Sequence, residues 1–291
     1  MKKIIISFII LINSTQFMFA QSYSRVKVLS ANIRVALQED EIKNVGWSSR
    51  KDLVFKVIKN QNPDIICLQE VIEIQNNDFK KAFKKFKAIG YEGPEMDPYK
   101  DGSYHKIAKN PILYNQQKYE LVAAGQYWLS DTPQIAGSMA WNTSRARNVN
   151  WVRLVEKSTG KQFRVLNTHL DHKSIKAKEH QIKMIIEEAN QYQQKFPQIL
   201  AGDFNSDQGT TVVKIIKNYW KDSYGVLHEN KDSGFTAHGF QGNQFKSIKG
   251  KIDFIFYKGS ITPLDASVIK DDFKGKYPSD HYFITAELSI K

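Results

Sequence analysis

Polar groups able to hold a hard cation or a phosphoryl oxygen recur along this chain at the edges of strand-like apolar runs. "LSAN" ends at Asn32, "CLQE" at Glu70 and "LAGDFN" at Asp203 and Asn205, while "NTHLDH" supplies His169 and Asp171 and "YPSDH" supplies Asp280 and His281. Asp253 heads one more such run, "KIDFIF". Strand ends on one edge of a sheet lie close in space, so groups far apart in sequence converge there. Carboxylates, an amide and imidazoles are what a hard cation beside a phosphoryl group requires. Each group also has a plainer reading: Asp203 and Asn205 in a turn, Glu70 paired with a lysine, His169 as an interior histidine. Asp253 resists that treatment, because a buried carboxylate without a partner is costly. The coincidence at successive strand edges favours one joint site.

Positioning these groups requires alternating strands and helices. "VKVLS", "DIICL", "PILY", "FRVLN", "PQILA", "IDFIF" and "YFITAEL" read as strands. Residues 50–59 predict a helix, with Ser48 and Ser49 as caps and Leu53, Val54, Val57 and Ile58 on one side. Residues 174–196 predict another, whose stripe is Ile182, Ile185, Ile186, Ala189 and Tyr192. "KKAFKKFK" (80–87) reads as a solvated helical face over Ala82, Phe83 and Phe86, and "AHGFQGNQ" (237–244) as a loop. The class is α/β, with strands enough for two sheets.

The N-terminus predicts export. Lys2 and Lys3, an apolar run from Ile4 to Ile12 and Met18-Phe19-Ala20 have the order of a secretory signal, too short to span a bilayer. Cleavage near Ala20 leaves residues 21–291 as one domain, secreted or periplasmic, without a membrane span and expected to be monomeric. A single cysteine, Cys67, excludes an internal disulfide and reads as a small buried hydrophobe. The formal charge of +12 attracts polyanions. Only seven of the 42 basic residues are arginine, the usual reader of phosphates and bases.

The ordered series "ANI", "LQE", "NTHLDH", "GDFN", "IDFIF" and "SDH" resembles the endonuclease/exonuclease/phosphatase superfamily, metal-dependent phosphohydrolases that include DNase I-like nucleases, sphingomyelinases, inositol-phosphate phosphatases and deadenylases. "QYWLSDTP" (126–133), "GSMAW" (137–141), Arg147 with Trp151, and "GKYPSDH" (275–281) resemble its secreted bacterial branch near the deadenylase-like proteins. The resemblance spans residues 26–289. It implies a four-layer α/β sandwich, two packed mixed β-sheets flanked by helices (DNase I-like). It also implies roles. Glu70 would be the principal metal carboxylate, with Asn32 and Asp280 nearby and Mg2+ (or Mn2+) as the ion. Asp203 would orient or deprotonate the attacking water, Asn205 would hold the phosphate, and His169 and His281, the latter steadied by Asp253, would donate to phosphoryl oxygens. Arg147 and Tyr114 are candidate contacts to the substrate phosphate.

One departure stands out: where many relatives carry a glutamate before the "PILY" strand, this chain has Ala108 and Lys109, which leaves Asp131 or Asp171 as the substitute partner for His169. Two rival readings follow. His169, Asp171 and His172 fit the last three ligand places of the zinc motif of metallo-β-lactamase-like hydrolases, although Asn167 stands in the first. Alternatively, the chain binds a phosphorylated ligand without turnover. For an active enzyme the substrate order is nucleic acid or nucleotide first, with Tyr127, Trp128, Trp141 and Trp151 available to stack bases, and small phosphoester second.

Overall fold

Along the strands, alternate side chains enter different cores. Val26 and Val28, Ile65 and Cys67 join one apolar cluster, whereas Leu29 and Ala31, Ile66 and Leu68 join another. A strand apolar on both faces is buried on both. That alternation makes the layers. The computed structural model describes residues 23–92, 108–231, 233–247 and 249–291; the signal reading of residues 1–20 and the stretch just before Ala108 lie outside them.

The first sheet takes β1 (Ser24–Asn32), β2 (Ile65–Gln69), β3 (Phe86–Ile89) and β4 (Ile112–Asn115). The second takes β5 (Tyr119–Trp128), β6 (Asn148–Glu156), β7 (Gln162–His169), β8 (Gln198–Asp203), β9 (Lys221–Asp222) and β10 (Asp253–Lys258); β11 (Ile261–Ile269) and β12 (Phe283–Ile290) return to the first. The orders are β11-β12-β1-β2-β4-β3 and β5-β6-β7-β8-β10-β9. Both sheets are mixed: β1 and β2 run parallel, as do β7 and β8, and the other pairs are antiparallel. The helices are α1 (Gln38–Ile42), α2 (Trp47–Asn60), α3 (Glu73–Ala82), α4 (Ile175–Ala189), α5 (Thr211–Lys217) and α6 (Ser223–Leu227).

Phe163, Val165, Ile199, Ala201 and Ile255 of the second sheet meet Val26, Ile65 and Ile284 of the first in the layer between the sheets. On the outer face of the first sheet, Val54, Val57 and Ile58 of α2 and Phe79 of α3 pack on Leu29 and Ile66. On the other side, Ile182, Ile185 and Ile186 of α4 and Val212 and Val213 of α5 cover Leu166, Leu200 and Phe254. The result is the expected four-layer sandwich of two packed mixed sheets with helices outside.

Local boundaries differ from the sequence reading in three places. Gly46, not Ser48 or Ser49, precedes α2; Ser48 sits in its first turn and donates from its backbone N–H and its hydroxyl to Glu41. Ser174 does cap α4, accepting from Ala177 N at 3.1 Å, but Tyr192 lies beyond the helix end. The lysine-rich segment leaves the helix at Phe83 and becomes strand at Phe86, while both phenylalanines still pack into the core beneath α2 and α3.

Candidate active site

Two parallel strand pairs deliver their C-terminal ends to one edge. Asn32 ends β1, Glu70 follows β2, His169 ends β7 and Asp203 ends β8. Gly202 makes the second delivery possible: a Cβ there would stand 2.0 Å from the Thr168 carbonyl oxygen, so only glycine lets β8 lie this close to β7. Glu70 itself adopts φ +64, a conformation uncommon for a glutamate and of the kind held at functional positions.

Glu70 is fixed through both oxygens. Asn32 Nδ2 donates to its Oε1 at 3.2 Å and Val35 N to its Oε2 at 3.1 Å. The Asn32 amide also donates to Asp203 Oδ2 at 3.1 Å, and Ser279 Oγ donates to the Asn32 carbonyl at 2.7 Å. That last bond brings the "SDH" turn against β1. Burial, reinforced by the charge of Glu70, raises the proton affinity of Asp280. Two carboxylates that repel one another in this way fit a hard divalent cation, which oxygen donors suit and whose charge would relieve their repulsion. Asn32 faces Glu70 with its Nδ2 while its Oδ1 accepts from Arg34 N at 3.0 Å, so its amide would turn over to add a third oxygen.

Beside them lies a second charged group. Asp253 stands opposite Asp203 in the β8–β10 register, and its Oδ2 is 2.9 Å from His281 Nδ1; His281 Nε2 is 4.0 Å from Asp203 Oδ2. Burial alone would lower the pKa of His281, but Asp253 and then Asp203 outweigh it and hold the imidazole well above its usual value. Asp203, buried and facing Asp253, is pushed up to about 7. Oxygen and nitrogen atoms of Asp203, Asp253 and His281 lie within 4.8 Å of one another, a spacing that would also admit an ion. Glu70 and Asp280, with Asn32 beside them, are a second set of groups that could hold an ion. The buried Asp253 thus has the partner its position demanded.

Asp203 Oδ1 accepts from Asn205 N at 2.8 Å, the expected Asx-turn, and Asn205 takes φ +48. Asn205 Nδ2 donates to the Leu170 carbonyl at 3.1 Å, which orients the amide, and it lies 3.0 Å from His169 Nε2. His169 Nε2 therefore accepts. Burial and the nearby Arg147 keep this ring neutral. Its nearest carboxylate is Asp203, at 3.4 Å, and not Asp131 or Asp171. Asp171 is committed elsewhere, accepting from Thr143, Ser144, Lys173 and Ser174, and those bonds hold it well below the usual range despite burial that would raise it. It fixes a loop, which removes the central ligand of the zinc reading.

A cavity of about 810 Å3 joins these groups, with Arg34, Arg145, Arg147, His169, Asp203 and His281 on its wall. Arg147 is where the sequence reading put it. Arg34 and Arg145 went unnoticed, although each lies two residues from a residue already singled out, Asn32 and Arg147. Tyr114 is a correction: strand alternation turns it inward with Ile112, and it is 4 % exposed in the layer between the sheets. Tyr127 and Trp128 are buried, Tyr127 in the core under α4, and Trp151 packs over Arg164. Trp141 stacks on His180 at 4.9 Å. Lys109, near the departure noted above, is buried and donates to the Tyr91 carbonyl at 3.0 Å.

The profile of the Endonuclease/Exonuclease/phosphatase family matches residues 29–281. Among curated proteins, the chain is 24% identical over 85% of its length to the CCR4-Not complex 3'-5'-exoribonuclease subunit Ccr4 of Schizosaccharomyces pombe, covering 45% of that protein. It is 25% identical over 84% of its length to Nocturnin of Drosophila melanogaster, covering 42% of it. The chain thus spans less than half the length of these two relatives. Among solved structures, an endonuclease/exonuclease/phosphatase family protein of Bacteroides thetaiotaomicron superposes with TM-score 0.81 at 27% identity, covering 93% of this chain and 99% of that one. A mannosyl-6-phosphatase of the same organism gives TM-score 0.79 at 28% identity, covering 90% and 99%.

Proposed function

The chain belongs to the endonuclease/exonuclease/phosphatase family, phosphoester hydrolases, and from that membership we propose that it is a Mg2+-dependent hydrolase of small phosphate esters. One observation carries the substrate reading: the described wall of the site cavity presents Arg34, Arg145 and Arg147 and no Phe, Tyr or Trp. Such a wall receives a phosphate and offers a base none of the large aromatic rings, only the imidazoles of His169, His172 and His281. That reverses the order drawn from the sequence. The mannosyl-6-phosphatase among the similar structures supports the same choice. The 3'-5'-exoribonuclease relatives and the basic charge support nucleic acid as the second reading.

In this reading Asn32, Glu70 and Asp280 hold Mg2+, with Mn2+ as a substitute. When bound, the ion supplies positive charge against the phosphoryl oxygens. Asp203, with its proton affinity raised, accepts a proton from water on the face towards phosphorus. His281, kept protonated by Asp253, donates to a phosphoryl oxygen as charge grows there. Asn205, anchored through one amide hydrogen to the Leu170 carbonyl, would hold a further oxygen by giving up its hydrogen bond to His169 Nε2. The intact dyad and the raised Asp203 favour turnover over a role limited to binding.

The test is hydrolysis with Mg2+ of p-nitrophenyl phosphate, a sugar 6-phosphate, bis-p-nitrophenyl phosphate and single-stranded RNA, each beside Asp203→Ala. Release of phosphate from the monoesters alone, lost in the variant, is the expected result. Cleavage of RNA alone would move the reading to a nuclease, and silence throughout would leave a binding protein.

A further inference from the structure

Arg50 lies in α2, outside the substrate cavity, yet it touches both chain segments that bring in the candidate cation ligands. It is 3 % exposed. Nη1 donates to the carbonyl oxygens of Ile33 and, at 3.1 Å, of Pro278. Nη2 donates to the Arg34 carbonyl at 2.5 Å and Nε to the Val45 carbonyl at 3.1 Å. Ile33 and Arg34 follow the end of β1, and Pro278 stands ahead of β12, so no sheet partner is at hand for these carbonyls. Buried carbonyls in irregular backbone need a donor. One planar guanidinium fork serves four of them, sharing the Arg34 carbonyl with Gln75 Nε2, which donates to it at 2.8 Å. Its charge also faces Asp280, Asp40 and Glu70, with Arg34 as the opposing cation.

We propose that Arg50 is a positioning residue for the cation: it ties the backbone just after Asn32 to the backbone just before Asp280 and thereby sets the distance between those two ligands. This rests on the reading that Asn32, Glu70 and Asp280 hold the ion. Lysine cannot replace arginine here, because an ammonium carries its three donors at one point and cannot reach both segments at once. The groups Arg50 supports stand one shell behind the ligands, and loss of such support typically weakens metal binding by about 10-fold to 100-fold. The outer side of Arg50 lines a separate cavity of about 530 Å3, beside Val45, Leu53, Phe240 and Tyr277. A free guanidinium ion can therefore enter the space that Arg50→Ala would leave.

The experiment is a direct Mn2+ titration, by electron paramagnetic resonance of the free ion, of the parent, Arg50→Lys, Arg50→Ala and Asp52→Ala, with folding checked by circular dichroism. Arg50→Lys and Arg50→Ala are expected to bind Mn2+ at least about tenfold more weakly. The Mg2+ concentration for half-maximal rate should rise by the same factor, while KM for substrate at saturating Mg2+ stays near the parent's. Asp52→Ala, at the same cavity, should match the parent, and added guanidinium should restore Mn2+ affinity to Arg50→Ala but not to Arg50→Lys. Parental Mn2+ affinity in both Arg50 variants would overturn the inference and leave the cation site standing. A parent that binds no Mn2+ would overturn the site and the inference together. Unfolding of both Arg50 variants would also overturn it, by making Arg50 a residue of folding.

Discussion

Asp253 holds His281 by a 2.9 Å contact to Nδ1, from a place directly across the β8–β10 pair from Asp203. The imidazole is therefore oriented by one strand end and presents Nε2 towards the other. Neither aspartate alone would make this a reactive arrangement: Asp253 keeps the proton on the ring, and the proximity of Asp253 raises the affinity of Asp203 for its own. Both shifts raise proton affinity: His281 stays protonated and able to donate, while Asp203, at about 7, exchanges a proton near neutral pH.

Asp253→Asn is expected to lower the pKa of His281 and to reduce kcat by about 100-fold, with KM little changed. The sign for stability follows from the direction of the shift. A folded-state pKa above the unfolded value stabilises fully below about pH 6.5, and the gain is lost as pH rises through the raised value. In Asp253→Asn that loss should be smaller and complete at lower pH. NMR of the His281 ring protons against pH, with urea midpoints over the same range, checks both. An unmoved His281 titration would remove the dyad assignment.

Asp203 behaves in the opposite sense. Its folded pKa, about 7, lies above the unfolded carboxylate value, so its ionisation destabilises the fold as pH rises between the two. Asp203→Asn should therefore raise Tm at pH 8 while reducing kcat/KM by about 1000-fold. The acid limb of the parent's pH profile should lie above the ordinary carboxylate value near about 4. A variant that is inactive but no more stable at pH 8 would mean that the Asp203 charge is better compensated than its neighbours indicate.

Removal of divalent ions should stop turnover and lower Tm, and Mg2+ should restore both. At about 100 times its dissociation constant, a ligand adds about 2.7 kcal/mol of stability. In Glu70→Gln the same Mg2+ concentrations should give a smaller Tm increase and a higher half-saturation for rate. Turnover undiminished in EDTA would remove Glu70, Asn32 and Asp280 from the mechanism.

Much of the sheet framework was legible because the strands that lead to the site, β1, β2, β7, β8 and β10, are largely buried on both faces and carry a polar group at one end, as "LQE" and "GDFN" do. The strand ends then converge by the topology of the two parallel pairs. Asp253 was legible for a physical reason, since a carboxylate inside an apolar run must be paired. What sequence could not supply is orientation. Tyr114 follows an apolar run much as Asn205 does, but the pleat turns it into the inter-sheet core. Asp171 has the spacing of a ligand, yet its oxygens are taken by donors on four residues that lie up to 28 positions away. Arg34 and Arg145 carried a weak signal, charge close to a motif, which lysine-rich surroundings obscured. The end of α3 was misread because Phe83 and Phe86 keep helical spacing while the backbone changes from helix to strand between them.

In the proposed reading the arginines set the choice of substrate. Arg147 is buried on the cavity wall near His169, whose proton affinity burial and then Arg147 lower, so its charge would act on a bound phosphate at short range and low dielectric. Arg147→Ala should raise KM for a phosphate monoester by about 10-fold, the scale of one charge-assisted contact, with a smaller change in kcat. It should also let His169 titrate closer to its ordinary value. A small monoester engages these few cavity charges alone, so its KM should vary less between about 50 and 200 mM salt. A nucleic acid would also engage the lysine-rich exterior, and its affinity would fall by about 0.9 logarithmic units per phosphate contact for each decade of salt. A steep salt response for RNA, together with an Arg147→Ala effect on RNA alone, would show that the cavity serves a polymer whose base recognition lies outside its described wall.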